Sequence, residues 1–276
     1  MRKGNVLVTG ASSGIGRACA IRLSGLGYRV FAGVRDAAAG EALRALPGGI
    51  EPVWLDVTDP ASIRAAVEKT GSDALAGLVN NAGISVLGPL ELVPADAWRR
   101  QFEVNVFGLV AVTQAFLPLL RQGRGRIVNI GSIAGRSALP GTGPYDSSKF
   151  AVEGITDSLR MEVRPFGIRV SLVEPGSVDS SIWKKSQEAM AELEHSAPAG
   201  LRELYGGLIA NVGKESVKAA AKALPAEKVA KAVEHALTAR RPKTRYVVGG
   251  DARFWLLLNL LPDAWRDWLI LSEMSK

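Results

Sequence analysis

The chain has 276 residues, of which 47% are hydrophobic and 22% are charged, an ordinary globular composition long enough for one large core. Its formal net charge is +7, but lysines and arginines are scattered along the chain, which disfavours a nucleic-acid partner and leaves a weak attraction for anions. Cys19 is the one cysteine, so no disulfide can form within the chain. The start of the chain resembles no signal segment, and we expect a reducing, cytoplasmic location.

The first predicted element is an apolar strand over residues 5–9, followed by a glycine-rich turn and a helix. Glycines let the backbone approach a pyrophosphate, serine hydroxyls add donors, and a helix start presents unpaired N–H groups. The turn therefore predicts a phosphate cradle formed by Gly10, Ser12, Ser13, Gly14, Ile15 and Gly16. Cys19 lies on an apolar face of the helix that follows, and we expect a packed thiol there.

Strands and helices continue to alternate, which predicts a doubly wound parallel sheet. The second strand, over residues 28–34, ends at Arg35 and Asp36. An acid at this strand tip is typical of NAD binding, whereas an arginine meets the 2′-phosphate of NADP. Arg35 therefore favours NADP, and Asp36 is the competing feature that would favour NAD.

The third strand is predicted over residues 52–57, and Asp59 and Pro60 begin the next helix as a cap followed by proline. The fourth strand, over residues 75–79, continues into Asn-Asn-Ala-Gly at positions 80–83. Two amides and two small residues after a strand let the backbone pass close to a flat ligand.

A long apolar helix is predicted over residues 98–120, with Asn105 inside it. Asparagine is a poor helix former, so this residue needs a reason to be there. One reason is a local side-chain bond back to its own helix. The other is a functional role.

The fifth strand, over residues 125–131, places Ser132 at its carboxyl end, where open α/β sheets bind ligands. A nucleophilic serine is disfavoured because Ile130 stands where a nucleophile elbow has glycine. The histidines, at positions 195 and 235, offer no general base close to it in sequence and no metal-like neighbours. Ser132 is better suited to donate a hydrogen bond to a substrate carbonyl.

Tyr145 and Lys149 lie four residues apart on the next predicted helix, so a phenol and an ammonium face the same cavity. A free phenol has a pKa of about 10, and a nearby cation lowers it toward the range that general acid–base catalysis needs. The pair taken alone also fits an ordinary helix face with a snorkelling lysine. The sixth strand, over residues 168–174, is followed at once by Pro-Gly-Ser-Val-Asp-Ser.

These motifs, in this order, resemble the short-chain dehydrogenase/reductase family. The resemblance rests on Thr-Gly-x-x-x-Gly-x-Gly at 9–16, the amide motif at 80–83, and Tyr-x-x-x-Lys at 145–149. It extends to the loop over 175–180, in which Ser180 replaces the threonine of the family and retains a hydroxyl. It implies a Rossmann-type fold and hydride transfer between a nicotinamide and a carbonyl or alcohol.

The resemblance implies a catalytic tetrad of Asn105, Ser132, Tyr145 and Lys149. Tyr145 would exchange the proton with the substrate oxygen, which Ser132 would hold. Lys149 would lower the pKa of the phenol and bind the nicotinamide ribose, and Asn105 would hold a water against that lysine.

The expected cofactor is NADP(H), with NAD(H) as the alternative. The resemblance places Asp56 near the adenine, although a capping aspartate is an alternative role for that residue. The predicted cofactor-binding residues are Gly10, Ser12, Ser13, Gly14, Ile15, Gly16, Arg35, Asp56, Val57, Asn80, Ala82, Gly83, Tyr145, Lys149, Pro175, Gly176, Val178 and Ser180. No metal site is expected.

We predict a single domain over residues 1–276: a cofactor-binding and catalytic core to 180, a substrate lid over 181–225, and a C-terminal part over 226–276. The lid is predicted as one or two amphipathic helices with breaks at glycines 200, 206, 207 and 213. Another helix, over 225–239, and a last strand, over 246–248, precede an apolar tail at 254–268. That tail is too short to span a bilayer, which takes about 20 apolar residues. Closing the pocket or contacting a second subunit is favoured over lying on a membrane.

The stretch at 175–183 and the apolar tail are similar to the retinol and 17β-hydroxysteroid dehydrogenase branch of the family. We therefore expect a bulky apolar alcohol or ketone as substrate and a homodimer or homotetramer. The alternatives are an NAD-dependent alcohol dehydrogenase of the same family and a dinucleotide-sensing regulator without chemistry. The intact tetrad disfavours the regulator, and no helix-turn-helix or basic arm for nucleic acid is recognisable.

Overall fold

In residues 3–71 and 73–274, the part of the chain that the computed structural model describes, seven strands form one parallel sheet. They are β1 (Asn5–Val8), β2 (Arg29–Val34), β3 (Gly49–Trp54), β4 (Leu75–Asn80), β5 (Arg126–Ile130), β6 (Arg169–Pro175) and β7 (Arg245–Val248). Their order across the sheet is β3-β2-β1-β4-β5-β6-β7, so the order reverses between β1 and β4. The predicted doubly wound Rossmann-type sheet is confirmed, and ligands bind at such a reversal, at the carboxyl ends of the strands.

Helices cover both faces of the sheet. They are α1 (Gly14–Gly25), α2 (Ala37–Arg44), α3 (Pro60–Thr70), α4 (Ala95–Phe102), α5 (Gly108–Gly123), α6 (Gly143–Glu162), α7 (Ser181–Ser196), α8 (Ala199–Ala221), α9 (Ala226–Thr238), α10 (Gly250–Leu258) and α11 (Asp263–Met274). A π-helical turn, Glu103–Phe107, joins α4 to α5, and 3-10 turns lie at Ile133–Gly135 and Arg164–Phe166.

The alternation of side chains along the strands divides the core into two layers. Val6 and Val8 of β1 pack with α1 and α9 on one face, in a cluster that includes Val233. Leu7 points to the other face and packs with residues such as Phe116 of α5. β1 is fully buried, as expected for a parallel strand whose two faces are both covered by helices.

The helix predicted over residues 98–120 is longer and is interrupted. It runs as α4, the π turn and α5 over Ala95–Gly123, which is long and apolar enough to cross a membrane. This helix is part of the core, because Val112, Phe116 and Leu120 on its apolar face are fully buried against the sheet and α3. Asn105 lies in the π turn.

The predicted glycine breaks in the lid are wrong. Glycines 200, 206, 207 and 213 lie inside α8, and the chain breaks instead between α7 and α8 at Ala197 and Pro198. The reason is that the residue before proline is disfavoured in helical conformation, and proline has no N–H to continue the hydrogen bonding of the preceding helix. The third strand also begins earlier than predicted, at Gly49, because it pairs with β2 from Arg29 onward.

Candidate active site

A cavity of about 720 Å³ opens at the carboxyl edge of the sheet, where the strand order reverses. Most of the predicted site residues line it. They are Gly10, Ser12, Ser13, Gly14, Ile15, Arg35, Asp56, Val57, Ala82, Gly83, Ser132, Tyr145, Lys149, Pro175, Gly176, Val178 and Ser180. The sequence therefore identified most of the wall of this cavity.

The glycine turn has a backbone conformation that glycine adopts readily and other residues rarely adopt. Gly10 and Gly14 have φ values of +63° and +51°, a region that side chains disfavour. A Cβ at Gly16 would lie 2.3 Å from the carbonyl oxygen of Gly10, so Gly16 serves close packing behind the cavity wall. The N-terminus of α1 then faces the cavity, and this glycine-rich cradle fits the phosphates of a dinucleotide.

The amide of Asn81, which the sequence analysis left out of the predicted site, holds the glycine turn in place. Its Nδ2 donates to the carbonyl oxygens of Thr9 and Gly10 at 2.9 and 3.0 Å. Asn80 lies behind the cavity wall, where its Nδ2 donates to Thr113 and Asn129 at 2.9 Å each. The two neighbouring amides therefore support the site from two sides of the strand.

Arg35 and two carboxylates form the far end of the cavity. The side chain of Arg35 is 56% exposed, and its Nη1 lies 3.3 Å from Oδ2 of Asp56. Burial raises the pKa of Asp56, but hydrogen bonds from Thr58 and Arg35 outweigh it and hold that pKa below its usual value. Asp36 caps α2 by accepting from the N–H groups of Ala38 and Ala39 at 2.8 and 3.1 Å. Its capping role could have been recognised in the sequence.

Tyr145 and Ser132 meet at the other end. The hydroxyl of Ser132 hydrogen-bonds the phenol, which favours the phenolate, but burial has the larger effect and raises the pKa of Tyr145 to about 12. The neighbouring carboxylate of Asp146 raises it further. The predicted lowering of this pKa by a cation is therefore wrong for this structure.

The reason lies in the position of Lys149. Its Nζ donates a hydrogen bond of 2.9 Å to the carbonyl oxygen of Ile130 and lies 5.7 Å from the centre of the Tyr145 ring. Burial lowers the pKa of this ammonium to about 8. Lys149 and Tyr145 nevertheless face one cavity, as their spacing predicted.

Asn105 is engaged with a distant segment rather than with its own helix. Its Oδ1 accepts from the N–H of Ile84 at 2.9 Å, and its Nδ2 donates to the carbonyl oxygen of Ile84 and to Ser148. Gln101, one turn earlier, pairs in the same way with the N–H of Val86 and the carbonyl of Ile84. Together they hold the chain after β4 extended along the cavity. The side chain of Asn105 does not line the cavity, and a water held beside Lys149 stays a prediction.

The 175–180 loop is fixed by segments from much later in the chain. Its Gly176 N–H donates to the carbonyl of Val248 at 2.9 Å. The N–H of Ser177 donates to Oδ2 of Asp251 at 2.7 Å, and a Cβ at Gly176 would lie within 2.4 Å of that carboxylate. Asp251 comes from the first turn of α10, and sequence reasoning missed it because no local motif links it to the loop.

The lid contributes two side chains to the cavity, Ile182 and Ser186 of α7. Ser186 donates to the carbonyl oxygen of Ser85 at 2.9 Å, which ties α7 to the wall that Asn105 holds. The wall also includes Ile84 and, at the Arg35 end, Trp54. The sequence analysis did not identify these residues, and the strand predicted over 52–57 placed Trp54 in its interior rather than at its carboxyl end.

The model of the family described as short chain dehydrogenase matches residues 4–191. Among curated relatives, human retinol dehydrogenase 5 is 39% identical over 285 residues, covering 96% of this chain and 88% of its own. Bovine 17-beta-hydroxysteroid dehydrogenase type 6 is 37% identical over 282 residues, covering 98% and 89%.

Solved structures agree with this result. A short chain dehydrogenase/reductase from Burkholderia phymatum in complex with NAD has a TM-score of 0.79 at 26% identity, covering 93% of this chain and 92% of its own. A short chain dehydrogenase from Burkholderia cenocepacia in complex with NADP has a TM-score of 0.73 at 28% identity, covering 96% of each chain. The chain therefore belongs to the short-chain dehydrogenase/reductase family of NAD(P)-dependent oxidoreductases, and within it to the branch of the retinol and steroid dehydrogenases.

Proposed function

We propose that the protein prefers NADP(H) and transfers hydride between the nicotinamide and a carbonyl or secondary alcohol of a bulky apolar molecule, steroid-like or retinoid-like. The observation that carries the cofactor preference is that the side chains of Arg35 and Asp36 have different environments. The guanidinium is more than half exposed at the cavity end, whereas the carboxylate is occupied by two backbone N–H groups of α2. A 2′-phosphate would form a charge-assisted contact with the guanidinium of Arg35. The carboxylate of Asp36, which is bound to the start of α2, would oppose this contact little.

The cofactor preference is tested by dissociation constants for NADP and NAD. A charge-assisted contact is worth about 1.5–3 kcal/mol, or about 10- to 150-fold in affinity. Arg35→Ala should remove most of that gap by weakening NADP alone. Asp36→Asn, which keeps a capping oxygen, is the matched variant. Tighter binding of NAD by the wild type, lost in Asp36→Asn, would instead establish the NAD-dependent alternative.

The residues of the chain have defined roles in this function. A bound nicotinamide dinucleotide supplies the hydride donor or acceptor. The glycine turn would hold its phosphates, and Lys149 and the 175–180 loop its nicotinamide half. Tyr145 gives a proton to the substrate oxygen during reduction and takes it back during oxidation, and Ser132 holds that oxygen. The assembly of these groups in one cavity disfavours a dinucleotide sensor without chemistry.

The proposed substrate class rests on the branch and on the apolar wall from Ile84 and Ile182. A panel of steroids, retinoids and simple ketones, followed by NADPH absorbance, tests it. Turnover confined to small ketones would contradict it. We further propose a cytoplasmic homodimer or homotetramer without a nucleic-acid partner. Light scattering after size-exclusion chromatography measures the oligomeric state.

A further inference from the structure

Two buried carboxylates lie next to each other beneath the cavity. Glu153 is on α6, one turn after Lys149, and is 9% exposed. Glu174 is on β6, directly before Pro175, and is fully buried. Neither lines the cavity.

Each carboxylate uses one oxygen for an arginine. Oε2 of Glu153 accepts from Arg245 of β7 at 3.0 Å, and Oε1 of Glu174 accepts from Arg136 at 3.2 Å. In the described part of the chain, Oε1 of Glu153 and Oε2 of Glu174 have no donor. Glu174 acts on Glu153 both through its charge and through its side-chain oxygens, so the two carboxylates are neighbours. Unpaired buried oxygens are costly, and two adjacent carboxylates cannot both ionise cheaply.

A single proton between these two oxygens removes both costs. We propose that Glu153 and Glu174 share one proton, and that this carboxyl–carboxylate hydrogen bond positions the Lys149 turn of α6 against the strand that leads into the 175–180 loop. Loss of the proton to solvent leaves two facing negative charges, which push α6 away from β6. The catalytic lysine and the nicotinamide-binding loop are on opposite sides of this contact.

The charged groups around the pair are consistent with one shared proton. Lys149 and Asp157 flank Glu153 on α6, Arg245 approaches from β7, and Arg136 approaches from the loop after β5. Burial, and then the charge of Glu174, raise the pKa of Glu153 to about 7. The proton should therefore leave within an accessible pH range.

Glu153→Gln is the first test, because an amide N–H donates permanently where the shared proton donates only when bound. The pKa of Glu153 lies above that of an unfolded glutamate, so the stabilisation from its bound proton is complete below about pH 4.3 and is lost as the pH rises through about 7. Between about pH 5.5 and 8.5 the melting temperature of the wild type should fall by roughly 5 °C relative to that of Glu153→Gln. Parallel profiles would overturn the shared proton.

Asp157→Asn is the matched control, since Asp157 binds the same Arg245 and its pKa is lowered, mainly by that arginine. It is already ionised over this range, so its variant should show a constant offset. If Glu153→Gln does not fold, Glu174→Gln and the infrared spectrum of the wild type replace it. The pKa of Asp146 is also raised to about 7, so the spectrum of Asp146→Asn is recorded beside that of the wild type. A protonated carboxyl band near neutral pH that disappears at higher pH in both proteins supports the proposal, and its absence from Asp146→Asn overturns it.

The positioning role has its own readout, which depends on the proposed function. The dissociation constant of the preferred dinucleotide should rise with pH more steeply in the wild type than in Glu153→Gln, by about 5-fold or more over the same range. Titration of Lys149 is common to both proteins and cancels in the comparison. If the dissociation constant rises equally with pH in both proteins, the shared proton would still stand, but its role in positioning the Lys149 turn would be overturned. The melting and infrared measurements need no dinucleotide, so their failure is distinct from that of the proposed function.

Discussion

The hydroxyl of Thr142 donates a hydrogen bond of 2.5 Å to the carboxylate of Asp146, the residue next to Tyr145. The N–H of Leu139 donates to the same oxygen at 2.9 Å. Asp146 thereby holds the loop before α6 in place. This loop packs closely against α8 of the lid, because a Cβ at Gly141 would lie 2.7 Å from Val212. A buried carboxylate thus lies between Tyr145, the proposed proton donor, and the loop before α6.

Asp146→Asn should shift the pH dependence of turnover. Burial raises the pKa of Asp146 to about 7, and its negative charge raises that of Tyr145. The amide keeps the shape and an accepting oxygen but removes the charge, so the phenol should ionise more easily. In the oxidation direction, where phenolate is the base, the rate should rise at a pH lower by on the order of one unit. Ser147→Ala, which removes a neutral hydroxyl of the same turn, should leave the profile in place; a common profile for all three proteins would contradict the role of the charge.

Tyr145→Phe should reduce turnover by about 100-fold or more, because it removes the positioned general acid and keeps the packing of the ring. Dinucleotide affinity, measured by fluorescence titration, should stay nearly constant. Tyr205→Phe is the control and should keep its activity. It removes the hydroxyl of a lid tyrosine that donates a hydrogen bond to Glu91. Substantial residual turnover in Tyr145→Phe would assign the proton transfer to another group.

Lys149→Ala should weaken both dinucleotide affinity and turnover, since the ammonium is proposed to bind the nicotinamide ribose and thereby to position the ring for hydride transfer. It also removes the hydrogen bond to Ile130. Lys149→Met keeps most of the stem and separates the loss of charge from the loss of packing. Steady-state kinetics with a direct binding measurement distinguish the two effects, and unchanged affinity in both variants would remove the ribose role.

Asp56→Asn should raise the ratio of NADP to NAD affinity. The carboxylate of Asp56 partly neutralises Arg35, which is the proposed partner of the 2′-phosphate. Removing this exposed ion pair should favour NADP by about 2- to 5-fold while NAD changes little. Calorimetric titration with both dinucleotides measures the ratio. An unchanged or reduced ratio would show that Asp56 orients Arg35 rather than competing for it.

Truncation after Asp251 tests the apolar tail. Among the residues that the structure describes, none after Ser186 lines the cavity, and Phe254, Leu257, Trp265 and Trp268 are all exposed. We therefore expect a smaller oligomer, seen by light scattering, in a protein that is soluble without detergent. The double variant Trp265→Ser, Trp268→Ser changes the same surface without removing α10 and should behave similarly. Liposome co-sedimentation of the intact protein, lost on truncation, would favour the membrane alternative.

The parts of the site that could be predicted are those encoded by local spacing. The glycines at 10, 14 and 16 specify a turn, and Tyr145 and Lys149 share a face because of helical periodicity. The pairing of Asn105 with Ile84 could not be predicted, because it depends on a π turn that no propensity marks. The pKa of Tyr145 depends on burial, which the sequence did not reveal. Asp251 reaches the loop only through the tertiary fold.

The carboxylate of Asp251 has a consequence for recombining this protein with its relatives. The match to the family model ends at residue 191, which suggests that everything later could be exchanged as a unit to alter specificity. The hydrogen bond from Ser177 to Asp251 crosses that boundary. A chimera joined between the lid and α10 would combine the 175–180 loop of one parent with the α10 of another. Its dinucleotide affinity would depend on whether the incoming segment has an acidic residue at position 251.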